Sequence, residues 1–171
     1  MLLELAAVLG GSFTMSVMTP LWQLAAGGDD ESLNKALMVA MKKKMLTSMS
    51  SKGYAPVGRN RKSSIGENMV FAFVHLRILD VAKSALLKQQ KISLHEIAYE
   101  VLSSPEHGAP DEELAVHKEA AGDLLGAADL FLLAAKTVGF RGGDQVVASG
   151  IMFRAHDNMH SHFDAIGADI T

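Results

Sequence analysis

Apolar residues that recur every four positions are the feature that most constrains how this chain can fold. Residues four apart lie on one face of an α-helix, so each such series predicts a helix with one buried side. Two series have this spacing: Leu33, Leu37, Met41, Met45 and Met49, and then Val147, Ile151, Ala155, Met159 and Phe163. No stretch longer than four residues alternates cleanly between apolar and polar side chains, and no Asn-Gly or Asp-Gly hairpin turn is present. The pattern therefore predicts an all-α fold.

Capping motifs indicate where the helices begin. In a capping box, a serine side chain accepts a hydrogen bond from the third helical N–H. A glutamate three residues later accepts a hydrogen bond from the backbone N–H of that serine. Ser64 with Glu67 and Ser93 with Glu96 match this motif. With the periodicity, they predict a bundle of about five main helices, preceded by short N-terminal helical pieces and interrupted by a basic linker. The predicted helices cover about 31–52, 65–90 and 111–138, a short segment from residue 93, and a last segment after residue 143.

The run from Met69 to Leu76 is apolar at nearly every position and admits two interpretations. Its periodicity alone also fits a buried strand. The capping box in front of it and the length of the segment favour a helix, and a helix that is apolar all round belongs in the middle of a bundle.

The N-terminal region is apolar, and no charged residue occurs from Leu5 to Gly28. That is long enough to span a bilayer, which takes about 20 residues. The run is broken by Gly10-Gly11 and Thr19-Pro20, and it follows Glu4 rather than a Lys/Arg cluster, which argues against a transmembrane span or a secretory signal. We therefore predict that residues 1–28 form an apolar arm, packed on its own bundle or on a neighbour's, and that residues 29–171 form the bundle domain.

The composition favours self-association and excludes thiol chemistry. Apolar residues make up 49% of the 171-residue chain, the upper edge of the globular range, and burial between copies would cover the excess. The chain has no cysteine, which excludes disulfides, thiolate metal sites and cysteine catalysis. This composition fits a cytoplasmic protein, or one within a particle assembled in the cytoplasm.

A basic segment precedes an acidic C-terminal half. No Asp or Glu occurs from Ser32 to Gly66. The cations of this segment that could bind a polyanion are Lys42, Lys43, Lys44, Lys52, Arg59, Arg61 and Lys62. Such a cluster can neutralise the phosphates of a nucleic acid, contact an anionic surface or bind an acidic partner. The alternative is a solvated helix face followed by a soluble linker.

One cluster has the spacing of a metal site. On a helix, His156, His160 and Asp164 stack at four-residue intervals, and two imidazoles placed in this way can chelate a divalent metal. The cluster has no HExxH-type glutamate, so it does not predict a metalloprotease. A histidine-rich solvated or interface face is the alternative interpretation.

No catalytic residues are predicted. The sequence has no Gly-x-Ser-x-Gly motif, and its serines lie in caps and in the linker. It has no Glu-x-x-His motif of the di-iron bundles. His75 is predicted to be a hydrogen-bonded core residue rather than a general base. Whether the protein is an enzyme is left open by these patterns, which favour a non-enzymatic protein.

The sequence therefore predicts a non-enzymatic, self-associating assembly protein. A particle-shell or nucleocapsid-like subunit has this profile, with the basic segment contacting a polyanion or an acidic partner. Two alternatives remain open. One is a metal-binding helical protein that uses the C-terminal histidines, and the other is a small-ligand regulatory domain with a pocket around Phe71, Phe73 and Phe131.

Overall fold

The computed structural model describes residues 1–50, 53–56, 69–140 and 144–168. The chain divides into two units, Met1–Val101 and Leu102–Thr171. The structure is mostly helical, which confirms the broad prediction, but it also contains a small sheet and more helices than the five predicted. None of the described helices is long and apolar enough to cross a membrane.

The first unit contains five helices and four strands among the residues described. In chain order they are α1 (Leu2–Val8), β1 (Ser12–Thr14), α2 (Met15–Ala26), α3 (Asp30–Lys42), β2 (Leu46–Ser50), β3 (Gly53–Pro56), β4 (Val70–Phe73), α4 (Leu76–Ala85) and α5 (Lys88–Leu102), which ends at the boundary. The second unit contains α6 (Asp111–Ala121), α7 (Leu124–Phe140) and α8 (Gln145–Ala168).

The prediction of a long helix over 65–90 is wrong, because its apolar start is a strand. The sheet is antiparallel with the order β1-β4-β2-β3, so β4 lies between two partners. Adjacent residues in a strand point to opposite faces, and both Phe71 and Ala72 are buried, so neither face of β4 is solvated. This double burial explains the absence of alternation, and the β-branched and aromatic residues Val70, Phe71 and Phe73 favour a strand. The capping box at Ser64 lies outside the described residues.

Three other predicted helix boundaries are also corrected. The helix expected to reach residue 52 ends at Lys42, because Lys44 adopts a left-handed conformation (φ 57°) and the next residues form β2. The helix expected over 111–138 is divided into α6 and α7 at Gly122, which also has a positive φ of 92°. Helix α5 begins at Lys88, five residues before the serine that was predicted to cap it. Within the predicted basic linker, Gly53–Pro56 is a strand.

The core of the first unit includes much of the N-terminal region. Its fully buried large side chains come from α1, α2, α3, β2 and β4: Leu5, Met18, Leu21, Leu33, Leu37, Leu46 and Phe71. The rings of Phe13 and Phe71 stack across the β1–β4 pair with centroids 5.6 Å apart. The apolar residues of the opening segment are therefore packed within their own unit.

The core of the second unit is built largely from alanine. Its buried members are Ala115, Ala127, Ala128, Phe131, Ala134, Ala135, Ile151 and Ala155. Such small side chains let helices α6, α7 and α8 approach closely. This packing fixes which side of α8 is buried and which side is left exposed.

Candidate functional site

The face of α8 that points away from α7 carries large apolar side chains in contact with solvent. Ile151 and Ala155 are buried on the inward side, with 6% and 0% of their surface exposed. At 100° per residue, a second set lies on the opposite side of the helix. We call it the α8 outward face: Val146, Ser149, Met152, Phe153, His156, His160 and Phe163. Phe153 is 71% exposed and Phe163 64%, so this face buries little of its apolar surface within the described residues.

A shallow depression lies in the middle of this face. It has a volume of about 330 Å³ and is lined by Ser149, Met152, Phe153 and His156. The lining combines two large apolar side chains with two groups that can form hydrogen bonds. Apolar side chains of a partner could occupy it.

The C-terminal histidines lie on this face. The ring centroids of His156 and His160 are 6.4 Å apart. The Nδ1 atom of His160 lies 2.7 Å from Oδ2 of Asp164, and the Nδ1 atom of His156 lies 3.8 Å from Oδ1 of Asp157. Only the His160 contact is short enough for a hydrogen bond, and a carboxylate that accepts from Nδ1 orients the imidazole, as it does in many metal-binding histidines.

The three predicted metal ligands do not converge on one point. Asp164 contacts Nδ1 of His160, so its geometry is that of an orienting partner rather than of a third ligand. In the part of the chain that the structure describes, no group of three or more His, Cys, Asp or Glu side chains is placed to hold a metal ion.

Arg154, an exposed residue on the flank of α8, forms an ion pair with Glu119 of α6. The Nε atom of Arg154 donates to Oε1 of Glu119 at 3.2 Å, and Nη2 donates to Oε2. The guanidinium also lies over the ring of Phe131, 4.8 Å from its centroid. Burial opposes ionisation of Glu119, but the hydrogen bonds and charge of Arg154 outweigh it and lower the pKa of the carboxyl. Arg154 therefore links α8 to α6 through Glu119 and to α7 through Phe131.

The structure describes only part of the predicted polyanion-binding set. Lys42, Lys43 and Lys44 are exposed where α3 ends. The remaining four cations, Lys52, Arg59, Arg61 and Lys62, lie outside the described residues.

Three phenylalanines predicted to share a pocket do not do so. Phe71 is buried in the core of the first unit, with Phe73 packed against that core, whereas Phe131 is buried in the core of the second.

His75 is exposed at the N-cap of α4, so the prediction of a core histidine is wrong. A histidine that is buried is His117 in α6, and burial lowers its pKa.

The α8 outward face was not predicted, because the prediction for this helix rested on a single apolar series. That series includes Phe163 and Val147, both of which are exposed in the structure. A second series was present, since Val146 and Phe153 are seven residues apart and Met152 adjoins them.

Comparison of the chain with models of protein families, with curated proteins and with solved structures finds no match.

Proposed function

We propose that this protein is a non-enzymatic helical protein that associates with copies of itself through the α8 outward face. The observation that carries the proposal is the exposure of Met152, Phe153 and Phe163 on one side of a single helix. Large apolar side chains that stay exposed together in a folded chain mark sites of contact with a partner. A contact between copies would bury these side chains, as the high apolar content of the chain favours.

A charge on the α8 outward face tests this proposal. We expect the wild-type protein to sediment as an oligomer at micromolar concentration and Phe153→Glu to shift it to monomer, because a carboxylate in an apolar interface is left unpaired. Ser161→Glu is the matched control, since it adds the same charge to α8 at an exposed position off this face. Sedimentation velocity over a range of concentrations is the measurement. A wild-type monomer throughout, or equal effects of both variants, would exclude the proposal.

We further propose that the protein binds a polyanion through its basic segment. A nucleocapsid or particle-shell subunit in the cytoplasm would bind in this way. Three exposed lysines at the end of α3 support this role. Replacing Lys52, Arg59, Arg61 and Lys62 with glutamine should weaken binding to single-stranded RNA. The slope of log K against log salt should become shallower by about 0.7 for each phosphate that the variant no longer neutralises.

The control for that experiment is Lys88→Gln/Lys91→Gln, which removes two exposed cations from α5. Fluorescence anisotropy with labelled poly(U), titrated at several salt concentrations, measures both the affinity and its salt dependence. Salt-independent binding, or an equal weakening in the control, would contradict a role for the basic segment.

The metal-binding alternative is favoured by one observation, the side-by-side placement of His156 and His160 on the same exposed face. If zinc bridges two copies there, zinc should strengthen the sedimentation-detected association of wild type but not of His156→Ala. Association that is unaffected by zinc and by EDTA would exclude this alternative and leave the apolar contact intact.

A further inference from the structure

A second exposed apolar feature lies within the first unit, between α3 and α4. It is a groove of about 850 Å³, and its floor includes the first turn of α1. Its apolar lining comes from three helices: Leu2 and Leu3 of α1, Ala36, Val39 and Ala40 of α3, Ile78, Val81, Ala82 and Ala85 of α4, together with Met45. The volume falls within the range of sites that hold small organic ligands.

The groove exists because α3 and α4 both pack on α1. Ala40 and Ala82 are buried at its base, with 5% and 8% of their surface exposed. Val39 and Val81 stand at its rim and are 54% and 66% exposed. Small residues at the base and exposed valines at the rim leave apolar surface that a ligand could cover.

Two cations lie at one end of the groove. The backbone N–H of Val74 donates to the carbonyl oxygen of Met45 at 3.1 Å, which brings the end of α3 to the start of α4. Lys43 lies two residues before Met45, and Arg77 lies three residues after Val74, so both are at the end of the groove where this hydrogen bond forms. Both side chains line the groove and are exposed. Neither makes an ion pair with another residue that the structure describes.

The other charged lining residues do not cancel these two cations. Lys35 also lines the groove, eight residues before Lys43 along α3, and pairs with Glu31 at 2.8 Å. Among the described residues of the lining, Glu4 is the one carboxylate. The charge of the lining is therefore positive overall, and the cations without an acidic partner are concentrated at one end.

We propose that this groove binds a free single-chain amphiphile with an anionic head, a long-chain carboxylate. Its tail would lie between α3 and α4, over about 12 Å from Lys35 to Lys43 at 1.5 Å per residue. Its carboxylate would accept hydrogen bonds from Lys43 and Arg77. A peptide fits less well, because its backbone amides would lie against an apolar lining that offers few hydrogen-bond partners.

Isothermal titration calorimetry with dodecanoate, below its micellar concentration, tests the proposal directly. We expect saturable binding at one ligand per chain. Dodecyltrimethylammonium, with the same tail and a cationic head, should bind at least about tenfold more weakly, because its head cannot accept charge-assisted hydrogen bonds. Absence of saturable dodecanoate binding, or equal binding of both amphiphiles, would overturn the proposal.

Two pairs of variants separate the groove from general surface charge. Lys43→Ala/Arg77→Ala should weaken dodecanoate binding about tenfold or more, whereas the control Lys83→Ala/Lys88→Ala removes two exposed cations that do not line the groove and should leave binding unchanged. Val81→Asp, an exposed rim substitution that does not disturb the core, should also abolish binding. Equal weakening in both double variants would overturn the proposal.

Two further outcomes would replace the carboxylate with a different occupant. Binding to phosphatidylglycerol vesicles without any binding of monomeric dodecanoate would overturn the proposal in favour of a membrane surface. If the wild-type protein binds no dodecanoate and Val81→Asp changes the sedimentation coefficient, the proposal would be overturned in favour of a second copy. Circular dichroism melts of each variant establish that the fold is retained.

Discussion

At the scale of single residues, the clearest energetic feature is the pair between Glu119 and Arg154. Arg154 lowers the pKa of Glu119 in the folded state, so the folded protein holds this proton less tightly than the unfolded chain does. The contribution to stability is therefore complete above the ordinary glutamate pKa of about 4.3. It is lost as the pH falls through the lowered value.

Glu119→Gln should accordingly destabilise the protein at neutral pH and have little effect in acid. We expect a loss of no more than about 1 kcal/mol at pH 7, because both side chains are partly exposed and water screens the pair. Thermal melts followed by circular dichroism at pH 7, 5 and 3 give the comparison. Asp129→Asn, which removes an exposed carboxylate of α7, is the control. A difference between Glu119→Gln and wild type that persists undiminished at pH 3 would contradict this account.

At the scale of elements, local signals predicted some boundaries and not others. Leu33 and Leu37 were correctly predicted to face a core, because both belong to one continuous helix. Met45 and Met49 continue the same spacing but follow the left-handed residue Lys44. Periodicity alone does not register such a break, and the pairing of β2 with β4 depends on contacts distant in the sequence.

The turn between α6 and α7 gives a prediction at this scale. Gly122 has a φ of 92° with open space around it, so Gly122→Ala should cost about 1–2 kcal/mol through backbone strain alone. The matched control is Gly150→Ala within α8, where the added methyl group also meets nothing. That change should stabilise the protein by roughly 0.5–1 kcal/mol, since alanine loses less backbone entropy in a helix. Urea denaturation measures both, and the same sign for both variants would refute the argument.

At the scale of the whole molecule, the chain has separate hydrophobic clusters in its two units. Composition and length alone did not predict this division, because an apolar fraction of 49% does not indicate how many cores it fills. The candidate surfaces were predicted only in part. The histidines of α8 were found by their spacing, whereas the groove depends on three helices brought together by the fold.

The division predicts that the second unit folds by itself. A fragment of residues 102–171 should retain a helical circular dichroism spectrum and melt cooperatively, because its core draws on α6, α7 and α8 alone. Glu119→Gln should destabilise the fragment as much as it does the full chain. A fragment that lacks helical signal at low and high micromolar concentration alike would show that the first unit is needed for folding.

The alanine core of the second unit has a consequence for how this part of the molecule can vary. Each alanine contributes little apolar area, so the stability of this core depends more on the close approach of the helices than on large side chains. A larger side chain at Ala128 or Ala155 would push the helix backbones apart. The surrounding alanine side chains are too small to move aside and make room for it. We therefore expect this unit to tolerate substitutions mainly at its solvent-facing positions.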